Sequence, residues 1–359
     1  MWSDRRLIDL FGVEHPIIQA PMAGAQDAAL AAEVSAAGGL GSLPCAMLSA
    51  GQVRAEIAAI RARTDKPFNL NFFCHVPPKP DAVREAAWRK NLAPYYRDMG
   101  LDLALPVPAA NRAPFDDVLC ETVEELRPRV VSFHFGLPSA ELVERVKRAG
   151  CVILSSATTV AEAKWLEDRG VDAVIAQGAE AGGHRGMFLT QDVAAQVGTF
   201  ALIPQIADAV KVPVIAAGGI ADGRGIAAAM ALGAAGAQIG TAYLFCPEAK
   251  ISTPFRAALK SARDDGTALT NLLTGRPARG LYNRLMRELG PIFNAAPAFP
   301  LAAGALAPLR VEAEKRGAGD FSPLWSGQAA ALGCAMPAGE MTQKLIEETR
   351  EILGRLARG

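Results

Sequence analysis

Val171-Asp-Ala-Val-Ile-Ala-Gln-Gly-Ala-Glu-Ala-Gly-Gly-His-Arg-Gly186 joins an apolar run to a polar, glycine-rich turn. Its first part, Val171–Ala176, is a β-branched apolar run of strand length. It stops at a glycine-punctuated turn that presents Gln177, Glu180, His184 and Arg185. Taken alone, these residues also describe a connecting loop that holds one of the chain's four histidines. The surrounding sequence decides between the two.

Outward from this stretch the same unit recurs. Pro213–Ala217 ends in Gly218-Gly219, and Ala237–Gly240 runs into Thr241. On the other side, Cys151–Ser155, Val130–Phe135, Phe68–Phe73, Leu40–Leu43 and Ile17–Ala20 read as strands. Helix starts stand between them: Asp27 and Asp222 are N-cap residues, Ser49-x-x-Gln52 and Thr159-x-x-Glu162 are capping boxes, Ser139 starts a further helix, and Asp116–Leu126 reads as another. The strands are continuous apolar runs, as expected where both faces of a parallel sheet are covered. Eight strand and helix units predict a closed (β/α)8 TIM barrel in preference to an open doubly wound sheet.

Such a barrel takes about 250 residues, whereas the chain has 359. After Cys246-Pro247 the pattern changes to helical pieces, Pro254–Ala262 and Leu281–Leu289, between loops rich in Pro, Gly and Ala. The expectation is a barrel from residues 1–246 and 325–359, with a smaller helical domain, 247–324, inserted after the last strand and folded over the mouth. Met341, Leu345, Ile346, Ile352, Leu353 and Leu356 fall on one side of a C-terminal helix. Asp81–Asp98 reads as an extra helix, and 101–116, with Pro106, Pro108 and Pro114, as a surface loop.

Composition narrows the function. With 37 basic and 37 acidic residues and no basic run, nothing points to nucleic acid, and a small ligand fits better. The six cysteines are scattered without metal-type spacing, which predicts no metal and reduced thiols in a cytoplasmic protein. Gly225–Cys246 is uncharged and long enough to span a bilayer. It is mostly Gly and Ala, however, and Gly233 and Gly236 divide it into helix and strand, so no membrane span is expected. Monomer and homodimer both remain open.

In a TIM barrel the residues just after each strand gather at one mouth. This collects Pro21-Met22, Asn71, His134, Gln177 to His184, Gly218-Gly219 and Gln238-Ile239-Gly240-Thr241. The glycine turns after the last two strands suit a phosphate, because main-chain N–H groups can approach it closely there. His184 has the ionisation range to take a proton or, when charged, to hold an anion. His134 reads either as a donor to a substrate oxygen or as a histidine satisfied in the core. His75 follows Asn71-Phe-Phe-Cys74 on the same side and is a candidate substrate contact. Glu180 either orients His184 or is a solvated carboxylate, and Arg185 meets either phosphate or the surface.

Pro16-Ile-Ile-Gln-Ala-Pro-Met22, Asn69-Leu-Asn-Phe-Phe73, Ala176-Gln-Gly-Ala-Glu-Ala-Gly-Gly-His-Arg-Gly186, Pro213-Val-Ile-Ala-Ala-Gly-Gly219 and Gln238-Ile-Gly-Thr241 resemble the nitronate monooxygenase family, formerly called 2-nitropropane dioxygenases. The resemblance implies FMN in the barrel mouth. Asn71, Gln177, Gly182, Gly219, Gln238, Ile239, Gly240 and Thr241 would be matching cofactor positions, with His184 beside the flavin; the residues themselves add Met22 as an apolar face and Gly218 in the phosphate turn to the cofactor set, His184 as the catalytic residue, and His134 and His75 as substrate contacts. It also implies that Leu324-Trp325 returns beside the flavin. The implied reaction is oxidation of a small alkyl nitronate, propionate 3-nitronate or a related one, by O2 to a carbonyl compound and nitrite. Where members often carry Ser or Thr with Pro after Pro-Met-Ala-Gly, this chain has Ala25-Gln26-Asp27-Ala28, so its first loop is expected to differ.

Two other readings fit the same residues. The flavin-type enoyl-acyl-carrier-protein reductases resemble the family in barrel and histidine loop, and would use NAD(P)H to reduce an enoyl thioester or a quinone. A phosphate-binding barrel without redox chemistry would take up no flavin.

Overall fold

The computed structural model describes residues 2–108 and 112–358. Its barrel strands are β1 (Ile17–Gln19), β2 (Gly41–Pro44), β3 (Phe68–Phe73), β4 (Val130–His134), β5 (Val152–Ala157), β6 (Ala173–Gln177), β7 (Val214–Ala217) and β8 (Gly236–Ile239). All neighbours run parallel in the order β1, β8, β7, β6, β5, β4, β3, β2. The seam closes where the Gln19 N–H donates to Leu40 O at 2.9 Å and the Leu40 N–H to Ile17 O at 2.9 Å. The TIM barrel expected from the sequence is thus the fold.

The helix starts follow local chemistry. Asp27 accepts from the Ala29 N–H at the head of Ala28–Ala36, and Ser49 with Gln52 closes a full capping box on Ala50–Arg61. Thr159 caps Val160–Glu167, but Glu162 does not complete its box. Its buried carboxylate accepts instead from the Thr158 N–H and hydroxyl, both at 2.7 Å, and from the Phe188 N–H at 2.6 Å, tying two mouth loops together. The N-terminal helix Arg6–Phe11 presses Leu7 and Phe11 into the barrel floor against Ile18, Leu40 and Ile175.

The C-terminal helix Ala338–Leu356 packs on Ala28–Ala36 and Gly223–Ala231. Met341, Leu345 and Ile346 are buried, whereas Leu356 is exposed at the helix end. No helix among the described residues is long and apolar enough to cross a membrane.

The segment 247–324 is not helical throughout. Besides Thr253–Lys260, Arg284–Leu289 and Ala302–Lys315, it holds two strands, Thr267–Thr270 and Ala278–Leu281. These form a three-stranded antiparallel sheet with Gly183–His184, in which Ala278 pairs with His184 and Arg279 with Gly183. Thr-Ala-Leu-Thr and Ala-Arg-Gly-Leu carry too little β-branched alternation to read as strands alone.

The extra helix, Ala82–Asp98, packs on Ala302–Lys315. Trp88, Leu92, Tyr95 and Tyr96 share a second core there with Leu285, Leu306, Leu309 and Phe321. The cap over the mouth is therefore built from two segments distant in sequence. Of the stretch read as a surface loop, residues 109–111 lie outside the described residues, while Phe115 is buried and its N–H donates to Phe73 O at 2.7 Å.

Candidate functional site

At the C-terminal end of the strands lies a cavity of about 230 Å³. It is lined by Met22, Asn71, His134, Gln177, Gly182 and His184 on one side and by Gly218, Gly219, Gln238, Gly240 and Thr241 on the other. The fold thus brings together almost all the residues picked from sequence. Two stand outside this lining. Ile239 keeps its side chain fully buried in the barrel wall. His75 is buried among aromatic rings, 4.8 Å from Phe299 between centroids, with no partner for Nδ1 among the described residues.

The loop after β6 holds itself in shape. Gln177 donates from Nε2 to the His184 carbonyl at 3.0 Å and accepts the Gly186 N–H on Oε1 at 2.8 Å. Its amide, expected from sequence to face a cofactor, thus first serves its own loop. Arg185 meets neither phosphate nor solvent. It is fully buried and donates to the carbonyls of Gly178 and Gln177, at 2.6 and 2.7 Å, and to Gln196 Oε1 at 2.8 Å. Glu180 neither orients His184 nor lies free. It accepts from the Thr199 N–H and, at 2.7 Å, from its hydroxyl, at the start of the helix Thr199–Ala209.

His134 sits behind His184. Its Nε2 lies 3.2 Å from the His184 carbonyl, which can only accept, so Nε2 carries the proton. Nδ1 then accepts from the Ser156 hydroxyl at 3.0 Å. Both nitrogens are engaged by the protein, which leaves no N–H for a substrate oxygen and matches the core-satisfied alternative. Gly186 must be glycine here, since a Cβ would stand 3.0 Å from His134 Cε1 and 2.9 Å from Ser156 Cβ.

The His184 ring lies within an aromatic shell, with centroids 5.2 Å from Phe299, 5.4 Å from Trp325 and 5.9 Å from Phe135. Its Nε2 is 2.9 Å from Thr274 Oγ1, a hydroxyl of the inserted segment. Trp325 lines the cavity, and the segment carrying it is pinned where the Gly327 N–H donates to Thr241 Oγ1 at 2.9 Å and the Gln328 N–H to Glu180 O at 3.0 Å. Gln26, in the loop that departs from the family pattern, accepts the Met22 N–H on Oε1 at 3.0 Å and donates to Ser42 O at 2.6 Å. It braces the first turn from below.

Electrostatics at this wall run one way. Burial, then the positive charges of Arg112 and Arg276, hold His184 well below the ordinary histidine value of 6.5. Burial with Arg276 brings His134 to about 3 and His75 to about 4. All three are neutral near pH 7. Below 6.5 the unfolded chain takes up protons that the folded chain refuses, so the stability is complete above 6.5 and is lost as pH falls toward the native values. The urea midpoint is expected to be flat from neutral pH upward and to decline between about 6.5 and about 4, less steeply in His75→Phe. A wild-type midpoint flat across that window would contradict this protonation scheme.

The glycine turns after β7 and β8 form a cradle. Gly218 and Gly219 have φ of 113° and 69°, values that disfavour side chains. The N–H groups of Gly218, Gly219 and Gly240 donate to no main-chain acceptor among the described residues.

Sequence reading did not single out Arg112, Thr274, Arg276 or Phe299. The usable signal was Thr274-Gly-Arg-Pro-Ala-Arg279, a polar turn with two arginines inside a segment otherwise rich in Ala and Leu. Among the described residues, no group of His, Cys, Asp and Glu is placed to hold a metal.

The model of a family described as nitronate monooxygenase matches residues 4–348. The nitronate monooxygenase of Pseudomonas aeruginosa is 44% identical over 347 residues, spanning 96% of this chain and 99% of that relative. The one from Paraburkholderia phytofirmans is 43% identical over 98% of this chain and 97% of its own. Among solved structures, nitroalkane oxidase from Streptomyces ansochromogenes superposes with a TM-score of 0.89 at 39% identity, covering 98% of this chain and 99% of that one. FabK from Thermotoga maritima gives 0.72 at 28%, covering 98% of each.

Proposed function

The chain belongs to the nitronate monooxygenase family and is an oxidoreductase of nitronates, and from that premise we propose that its flavin is FMN and its substrate a small alkyl nitronate. Propionate 3-nitronate or a near relation would be oxidised by O2 to a carbonyl compound and nitrite. The observation that carries the reading is a neutral histidine, His184, set in an aromatic shell at a cavity whose far wall is a cradle of main-chain N–H groups.

The residues present fit FMN. The Gly218-Gly219 and Gly240-Thr241 turns would hold the phosphate through unengaged N–H groups. Asn71, held through Nδ2 on the Ser132 hydroxyl at 2.9 Å, and the half-buried Gln238 offer amides for the polar edge of the ring, and Met22 offers an apolar face. When bound, FMN supplies the one-electron acceptor and the path to O2 that no side chain provides.

The chain's own residues do the rest. Arg112, at the cavity wall without an acidic partner among the described residues, attracts the anionic substrate. Phe299, Phe135 and Trp325 keep water from the reacting carbon. His184 takes the α-proton when the substrate arrives as a neutral nitroalkane, and has no proton to remove when it arrives as the nitronate.

Purified protein loaded with FMN is expected to consume O2 and release nitrite with propionate 3-nitronate. Flavin-loaded protein that gives no turnover there, but is bleached anaerobically by NADH or NADPH, would replace this reading with the reductase.

A further inference from the structure

The His184 ring has two nitrogens, and only one meets a polar protein group. Nε2 stands 2.9 Å from Thr274 Oγ1. Nδ1 has no partner among the described residues, and His184 lines the cavity, so Nδ1 is the nitrogen left to meet a ligand there. Which nitrogen carries the proton then decides the chemistry. With hydrogen on Nε2, the open Nδ1 is a lone pair and a base. With hydrogen on Nδ1, it is a donor that holds an oxygen anion.

Thr274 stands where that choice is made. Its side chain is buried, and the turn that carries it is fixed on both sides. The Gly275 N–H donates to Asn271 O at 2.8 Å, and the Arg185 N–H donates to Pro277 O at 2.8 Å. The hydroxyl has one proton, and the Arg276 carbonyl, an acceptor only, lies 3.5 Å from it. A hydroxyl turned toward that carbonyl presents its lone pairs to Nε2, which must then be the protonated nitrogen. The His184 main chain is held independently, its carbonyl accepting from Gln177 and His134, so Thr274 governs the ring and not the loop.

We propose that Thr274 is the positioning residue for His184, keeping its proton on Nε2 and its lone pair on Nδ1 toward the substrate carbon. This rests on the nitronate reading for its activity arm. In the step it serves, the α C–H bond of a neutral nitroalkane breaks. The electron pair passes into the C=N bond of the nitronate, negative charge moves to the nitro oxygens, and the proton goes to Nδ1. The charged and titratable groups facing that proton are Arg112, His134, Arg276 and His75. All are cationic or neutral, so the imidazolium persists only with the new nitronate beside it.

The test compares Thr274→Val and Thr274→Ser with the wild type. Val keeps the shape and removes the hydroxyl, while Ser keeps the hydroxyl. Expected for Thr274→Val is a fall in kcat/KM for a neutral nitroalkane of about 10- to 100-fold, as when an orienting partner of a histidine is lost. Turnover of the corresponding nitronate should stay within about twofold, and Thr274→Ser should recover most of the nitroalkane rate.

Nitrogen-15 NMR of the histidine rings is expected to show His184 as the Nε2–H tautomer in the wild type and in Ser, and as a mixture in Val. An Nδ1–H tautomer in the wild type overturns the proposal, as does a parallel loss with both substrates in a folded Val variant. Wild-type protein inactive on both substrates defeats the nitronate reading, and the NMR arm still decides the tautomer.

Discussion

Replacing His184 by asparagine is expected to lower kcat/KM for a neutral nitroalkane by about 10²- to 10⁴-fold, the range general base catalysis contributes, and to change nitronate turnover only several-fold. The two substrates differ by one proton, so a base matters to the first alone. The surroundings of His184 favour the base over the cation. Burial and the charges of Arg112 and Arg276 hold it well below 6.5, and no carboxylate among the described residues bonds to it. A histidine that is neutral at working pH cannot hold an anion by charge, and that task falls to Arg112. Asparagine keeps a polar group of similar reach at the position and preserves the loop, because the clamping bonds from Gln177 and His134 go to the main-chain carbonyl of residue 184. Nitrite release measured with nitroethane and with ethylnitronate checks the expectation. Equal losses on both would assign His184 to binding and not to proton removal.

The charge distribution around this residue is invisible in composition. The chain is neutral overall, and many of its charges pair on the surface, as Arg54 does with Glu125 and Arg5 with Asp9. Such exposed pairs contribute little to stability, but they cancel at a distance. What remains at the mouth is positive: among the described residues Arg112 lacks an acidic partner, and Arg276 lies 3.9 Å over the Phe135 ring with no partner there for its Nε. An entrance of that sign suits an anionic substrate and speeds its capture at low salt.

The barrel was legible because its signals are local. An apolar run, a cap three residues before a helix core, and a glycine at a helix end each depend on neighbours in sequence, and Asp27, Ser49 and Asp222 cap as expected. The mouth was legible for a related reason: once eight strands are counted, their ends are known. What the residues at the mouth do to one another was not legible. Glu180 and Arg185 read as loop charges with solvent or ligand roles and Glu162 as half of a capping box, and each is instead engaged by main-chain groups around the mouth. Thr274 and the Thr267–Leu281 hairpin lie far along the chain from the histidine they support. Their contacts with it depend on the cap closing, which no window of sequence reports.

Arg185→Met is expected to be the most damaging single change in the loop, costing about 2–6 kcal/mol, the scale for leaving two buried carbonyls without a donor. The guanidinium is fully buried and remains charged at neutral pH even though burial lowers it to about 10. Its donors satisfy the carbonyls of Gln177 and Gly178, where β6 ends, and bridge to Gln196 in the following loop. Methionine fills much of the volume but donates nothing, so two buried carbonyls lose their partners at about 1–3 kcal/mol each. Gln177 would no longer be held at the angle from which it clamps the His184 carbonyl. Lysine cannot replace the planar fork, since one ammonium does not reach three acceptors on different segments. Urea unfolding of Arg185→Met and Arg185→Lys, read beside flavin content, checks this. Both midpoints should fall, Met further than Lys, and flavin occupancy should fall with them. A Met variant with the wild-type midpoint would show that this arginine does not hold the loop.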